Sequence, residues 1–527
     1  MIQLSYDKDR SKDMNKYKIG SIFCLMVLCF GFFSGFSNSK IMTSLKTQTN
    51  NNVEEEKIVE NLANNKTISS VDTQAGIKFI QEIINFIRTL NTNISVEEAK
   101  VLIAEKIYSV ANSQDSAVVD YIAVNLLQEL NKTYENTRSL VSALITKLSS
   151  LISEVSNGLN GLILNYDKQV QIMSTTAALS TEAGSSYSAK LNGYIYYASG
   201  NSTKWVVLLH GYMMNGKLMA QALAKMYLNQ GYNVLAPDLR GFGKSDGSVA
   251  MGYLESLDTW DWLTYINDSN SSGIGSRKAS EVIIHGVSLG GATTLQTWTQ
   301  VNFGRDLTTK NVIGLVDDCG YDSMTGIIKG MTSVGIGKEL LKTITGKDNL
   351  YDIAGDNNVK NVLMNVIKVG IKANEFDLKQ DSFYSGTLGN RKMSNVPLYI
   401  IHGTADTTVP FSISKNVVSV KAKQAGLLYN FWEVPSMPHA FIIVGVQKDT
   451  YQANLASFIK YAENRVNANK NDNKNETDKD KSEDKDKNND KSSSSTKKED
   501  KKETKQKKNF LEKIIEAIRE FFEKLFG

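Results

Sequence analysis

The chain has 527 residues, enough for more than one domain and a sizeable buried core. Its 60 Lys+Arg stand against 56 Asp+Glu, a formal net charge of +4, so no global field directs it to nucleic acid. With 41% hydrophobic residues and 5 prolines the composition is globular, which excludes a wholly disordered or collagen-like chain.

A basic lead (Lys8, Arg10, Lys12, Lys16, Lys18) precedes an apolar run from Ile19 to Phe36, followed by Ser37-Asn38-Ser39. This pattern predicts a secretory signal peptide over residues 1–39, or an uncleaved membrane anchor, since the run is nearly bilayer-long. Either form sends the remaining chain outward, to the medium or the cell surface. Cys24 and Cys29 lie inside the run and leave Cys319 alone in the rest of the chain. A disulfide framework and a cysteine-built zinc site are thereby excluded.

Residues 40–74 read as a polar spacer. A helical region follows over 75–173. Ile77, Ile80, Ile84 and Ile87 recur at three and four residues, and Ser95-Val96-Glu97-Glu98 reads as a capping box opening the next helix. Val118, Ile122 and Leu126, then Leu140, Leu144, Leu148, Leu151 and Val155, continue the pattern. Three or four helices are expected, packed on each other or on the domain that follows.

Over 174–466 the texture changes to strands alternating with helices. Strands are expected at Tyr194–Tyr197, Trp205–Leu209, Val234–Ala236, Val282–His285, Val312–Val316, Pro397–Ile401 and Tyr429–Val434. Continuous apolar strands separated by helices argue an α/β class with a mostly parallel sheet covered on both faces. Ligands of such sheets bind beyond the carboxyl ends of the strands.

One stretch carries the chemistry. In Gly286-Val287-Ser288-Leu289-Gly290 an apolar strand stops at glycine, a serine stands at the tip, and a helix-compatible run follows. This is the pattern of a nucleophile elbow, whose sharp turn strains the serine backbone and leaves room only for small residues two positions away. A serine hydroxyl needs a base within reach and a carboxylate to orient that base. The chain has 4 histidines, and His210, His285 and His402 each end an apolar strand directly before a glycine. Their expected role is to close strand ends by bonding to backbone. His439, in a loop after the last strand, is left as the base. Asp406, in a tight loop just past a strand, is favoured as the acid over Asp317 and Asp318, one strand earlier. The order Ser…Asp…His matches this architecture. The oxyanion donors are expected to be the backbone amides of Leu289, at the positive end of the helix after the elbow, and Tyr212, in the loop after His210-Gly211.

Together, His210-Gly211-Tyr212, Pro237-Asp238-Leu239-Arg240-Gly241-Phe242-Gly243-Lys244-Ser245, the elbow and the loops around Asp406 and His439 resemble the bacterial α/β-hydrolase superfamily, in particular its esterase and serine-aminopeptidase-like group. The resemblance covers about 190–465 and implies an α/β-hydrolase fold with Ser288, Asp406 and His439 as a triad. A methionine pair after Tyr212 and a proline before His439 depart from the common pattern. Gly243-Lys244-Ser245 is not a phosphate loop, because Asp238 occupies the position where that motif needs glycine. No cofactor or metal is implied.

Between about 320 and 392 a helical, glycine-punctuated insertion occupies the place of a cap over the site, or else adds helices to the core. Residues 467–507 are almost wholly polar and charged and predict a disordered linker. Over 508–527, Phe510, Leu511, Ile514, Ile515, Ile518, Phe521, Phe522, Leu525 and Phe526 share one helical face, which is expected to seek a membrane surface, a partner helix or the chain's own domain. The sequence therefore predicts an extracytoplasmic serine hydrolase acting on a small acyl or peptide substrate, with no nucleic-acid partner. The alternative is an exported scaffold or adhesion protein whose hydrolase fold is inactive.

Overall fold

Helices form where three-and-four spacing places apolar side chains on one face. They are α1 (Val71–Thr89), α2 (Val96–Asn112), α3 (Ala117–Leu130) and α4 (Thr137–Ser156). The buried face of α1 is Phe79, Ile80, Ile83, Ile84 and Ile87, whereas Ile77 stays half-buried at its margin. Ser95 does stand at the start of α2, where its carbonyl accepts the Ala99 amide (3.0 Å). All the apolar positions expected in α3 and α4 are buried.

This is a computed structural model that describes residues 71–130, 132–156, 163–174, 189–247, 249–323, 391–406, 408–437, 439 and 447–476. The leader, most of the polar spacer, the interior of the expected cap, the charged linker beyond Glu476 and the terminal stretch 508–527 lie outside the described residues. Among the described residues no helix is long and apolar enough to cross a membrane.

The sheet contains β1 (Lys168–Met173), β2 (Lys190–Tyr196), β3 (Lys204–Leu209), β4 (Asn233–Pro237), β5 (Glu281–Val287), β6 (Val312–Asp318), β7 (Leu398–Gly403) and β8 (Leu428–Val434). Their spatial order is β1-β2-β4-β3-β5-β6-β7-β8, with β1 and β2 antiparallel to their neighbours and the rest parallel. β1 is a departure from the expected boundary at 174. Its sequence, Lys-Gln-Val-Gln-Ile-Met, buries only Val170 fully, because an edge strand needs one covered face and carries too few apolar residues to announce itself.

The inner strands are covered on both sides. Trp205, Val207 and Leu209 of β3 pack with α6 (Tyr253–Ile266) and α7 (Leu289–Trp298) on one face. Val206 and Leu208 pack with α5 (Gly216–Leu228) and α8 (Lys448–Glu476) on the other. That double covering is why these strands read as unbroken apolar runs. The helices α1–α4 build a core of their own, which also takes in Leu218 of α5 and, partly buried, Met213 and Met214. Fully burying a leucine such as Leu218 stabilises by roughly 1.5–3 kcal/mol. Among the described residues, those through Val466 form one compact unit, helical region included.

Candidate active site

β5 ends at Val287 and α7 begins at Leu289, so a single residue makes the turn. That residue, Ser288, has φ 56° and ψ −112°, a conformation that costs on the order of 1–3 kcal/mol in a non-glycine residue and persists only where neighbours enforce it. The Ser288 amide donates to the Asp318 carbonyl (2.8 Å), and the Ser288 carbonyl accepts the Ala292 amide (2.9 Å). The flanking glycines are required by space. A Cβ on Gly286 would overlap the Gly290 carbonyl, and one on Gly290 would overlap the Leu209 carbonyl of β3.

His439 lies on the far side of the serine hydroxyl. Its Nε2 is 2.8 Å from Ser288 Oγ and its Nδ1 is 2.6 Å from Asp406 Oδ2. Because the carboxylate only accepts, Nδ1 carries the proton and Nε2 accepts from the serine. Asp406 is fixed in turn. Its Oδ1 accepts the Thr408 and Val409 amides, each at 2.9 Å. Burial pushes the Asp406 carboxyl up, but the charge of His439 and hydrogen bonds from His402 and His439 outweigh it and hold the group at about 2.

His402 is the residue that reading the sequence did not place here. Its Nε2 donates to Asp406 Oδ2 (3.0 Å) and to the Val409 carbonyl (2.8 Å), while Nδ1 meets Ser414 Oγ (2.7 Å). It bonds backbone as expected, and also shares the acid with His439. Burial lowers its pKa, but the Asp406 carboxylate outweighs burial and raises it. The i, i+4 spacing of His402 and Asp406 was the available signal. His210 does close its strand end, against the Gly211 carbonyl (2.8 Å) and the Leu239 amide (2.9 Å). His285 does not. Its ring lies between the hydroxyls of Tyr227 (2.8 Å) and Tyr451 (3.0 Å), and burial lowers its pKa to about 3.

Asp317 and Asp318 point elsewhere. Asp318 Oδ2 accepts from Tyr451 Oη (3.0 Å) beside His285, and Asp317 Oδ1 caps the turn at the Gly320 amide (2.9 Å). Cys319 has its Sγ within 4.8 Å of the ligand atoms of Asp406 and His439. Burial first, and three nearby aspartates next, push its thiol well above its ordinary pKa, so it stays protonated and is a poor metal ligand. Leu289 heads α7, whose first amides have no intrahelical partner. Gly211 passes beside Ser288, a Cβ on it falling 3.5 Å from Ser288 Cβ, which brings the adjacent Tyr212 to the same side. The Tyr212 ring is held edge-on by Phe242, 5.3 Å between centroids.

Residues 200–302 match the family model described as "Serine aminopeptidase, S33". The match runs from β3 through α7 and contains Ser288 and the 211–215 loop. The chain has an α/β-hydrolase fold, and its residues 200–302 are similar to this family. Among curated proteins, this α/β-hydrolase is 29% identical over 294 residues to a multifunctional-autoprocessing repeats-in-toxin of Vibrio vulnificus. It is 26% identical over 367 residues to a protein of the same name from Vibrio cholerae. Those alignments take in 52% and 63% of this chain, but 5% and 8% of the toxins. Among solved structures, an esterase from Pyrococcus furiosus is 21% identical, covers 57% of this chain and 94% of its own, and has a TM-score of 0.36. A thermophilic esterase from Thermogutta terrifontis is 15% identical, covers 56% and 99%, and has a TM-score of 0.32.

The buried carboxyls of this α/β-hydrolase predict how its stability varies with pH. Burial pushes Asp317, Asp318 and Glu255 up to about 7. A carboxyl whose pKa is raised by folding contributes fully below its unfolded value of about 4 and loses that contribution as pH climbs through about 7. Asp406 runs the other way: its contribution is complete above about pH 4 and is lost as pH falls toward 2. Tm is therefore expected to fall on going from about pH 5 to about pH 8, and Asp318→Asn to flatten part of that fall. Thermal melts of both proteins across that range check it.

Proposed function

We propose that this α/β-hydrolase is an extracytoplasmic serine hydrolase that cleaves a carboxylic ester, or a related amide or peptide bond, through an acyl-enzyme. The observation that carries the reading is His439 bridging Ser288 Oγ at 2.8 Å and Asp406 Oδ2 at 2.6 Å. Ser288 Oγ attacks the acyl carbon as its proton passes to His439 Nε2. Asp406 stabilises the resulting imidazolium and keeps the ring in one tautomer. The amides of Leu289 and Tyr212 hold the oxyanion, aided by the positive end of α7. Collapse breaks the bond to the leaving group, which takes the proton from Nε2. Water then loses a proton to the same nitrogen, attacks the acyl carbon, and releases the carboxylic acid and Ser288. The chemistry needs only these side chains and amides.

Export is supported by the basic lead and the apolar run Ile19–Phe36, and surface or partner attachment by the one-sided apolar face over 508–527. A membrane-impermeant fluorophosphonate applied to intact cells tests the whole reading. Labelling of the wild-type protein and none of Ser288→Ala is expected. Absence of labelling on well-folded purified wild type overturns the enzyme and leaves a scaffold, while labelling only after lysis overturns export. A panel of acyl esters graded by chain length, run beside aminoacyl amides, then defines the substrate class.

A further inference from the structure

The helical region does more than pack beside the catalytic half, because its polar contacts converge on the 211–215 loop. Asn112, the last residue of α2, donates from Nδ2 to the Met213 carbonyl at 2.8 Å. Its Oδ1 accepts from Asn215 Nδ2, also at 2.8 Å. Asn215 is the N-cap of α5, its Oδ1 accepting the Leu218 amide at 2.9 Å. One asparagine from a distant helix thus ties together the middle and the end of the loop that follows β3.

The loop needs such a tie. Met213 stands at φ 65°, the left-handed region that a long L side chain rarely adopts unless held there. Three residues after Asn112, Asp115 adds two ion pairs nearby, with Lys217 of α5 and Lys244 of the 241–245 turn, both at 2.6 Å. Met213 and Met214 lay their side chains into the core of α1–α4. Within the loop, Gly211 lies against Ser288 and Tyr212 follows it directly.

We propose that Asn112 is a positioning residue for the oxyanion site. By fixing the Met213 carbonyl and the end of the loop, it sets the peptide that presents the Tyr212 amide to the reacting carbonyl. The helical region is then part of the catalytic apparatus, and the methionines after Tyr212 are its anchors. The inference rests on the serine-hydrolase reading above.

The test compares purified full-length wild type, Asn112→Ala and Asn112→Asp. Asn112→Asp keeps the shape and the acceptor for Asn215 but cannot donate to Met213. Complete loss of an oxyanion donor costs about 10²–10³ in rate, so a donor merely shifted should cost about tenfold. Both variants are expected to lower kcat on an activated acyl ester by that factor with KM within about twofold, and to weaken a trifluoromethyl ketone, which forms an oxyanion on the serine, by about the same factor. Asn112 is exposed, so Tm should move little. Wild-type kcat in either variant overturns the proposal. So does a lowered Tm with normal kcat per labelled serine, the signature of a structural role alone. Failure of the underlying reading shows separately, as activity or labelling that survives Ser288→Ala.

Discussion

Replacing Ser288 with alanine is expected to lower kcat on any accepted ester by at least about 10⁴-fold while leaving the fold intact. The nucleophile is lost, but the loop, the helix terminus and the pocket stay. Alanine has no hydroxyl for His439 Nε2 to serve, and the 2.8 Å contact between them disappears. Ser288 is also a strained residue, so its substitution should not cost stability beyond that of a small buried polar group. His439→Ala should be nearly as damaging, because the 2.8 Å and 2.6 Å contacts work as one chain. Groups that act as a unit do not add. The double variant is therefore expected to be no slower than the worse single one. A double variant slower by the product of the two effects would show that serine and histidine act in separate steps.

The second large effect concerns the acid. Asp406→Asn is expected to lower kcat by about 10⁴-fold, and Asp318→Asn by less than about tenfold. An asparagine at 406 can turn its Nδ2 toward His439 Nδ1, which then accepts instead of donating. The proton moves to Nε2, and the base facing Ser288 becomes a donor that cannot take a proton. Asp318 is differently engaged. Its carboxylate accepts from Tyr451 Oη, which in turn faces His285 Nε2, and none of these atoms is bonded to His439. Steady-state rates of the two variants, measured side by side on one ester, check the assignment. A larger loss at 318 would move the acid to β6.

The contrast between these aspartates shows where local sequence stops informing. Asp317-Asp318 close β6 and Asp406 follows β7, so both stand at the carboxyl ends of parallel strands where chemistry is expected. What separates them is the direction in which each side chain leaves its backbone. Along β6 side chains alternate, so Asp318 falls on the face of Val316, toward Tyr451 and α8, away from the imidazole. Asp406 lies in an irregular turn whose amides at Thr408 and Val409 fold around its Oδ1 and aim Oδ2 outward.

The same limit explains the other departures. β1 buries one face at a sheet edge and so carries little apolar pattern. His285 looked like its two fellow histidines because each of the three follows an apolar run directly before a glycine. Its ring reaches Tyr227 and Tyr451 across helices that approach from 58 residues before it and 166 after it.

The sequence by itself determined the alternation of strands and helices, the elbow with its obligatory Gly286 and Gly290, and the identity of Ser288, Asp406 and His439 as the residues to watch. These are legible because they are local: strand burial, a single-residue turn and the chemistry of a hydroxyl each leave a short-range signature. Only the tertiary structure decided that His402 shares the carboxylate, that Asp318 is spent on a tyrosine, and that Asn112 holds the loop beside the serine. Those contacts join side chains that any polar surface residue could imitate in sequence, and they exist because packing of the sheet and its helices fixes distances that chain order leaves free.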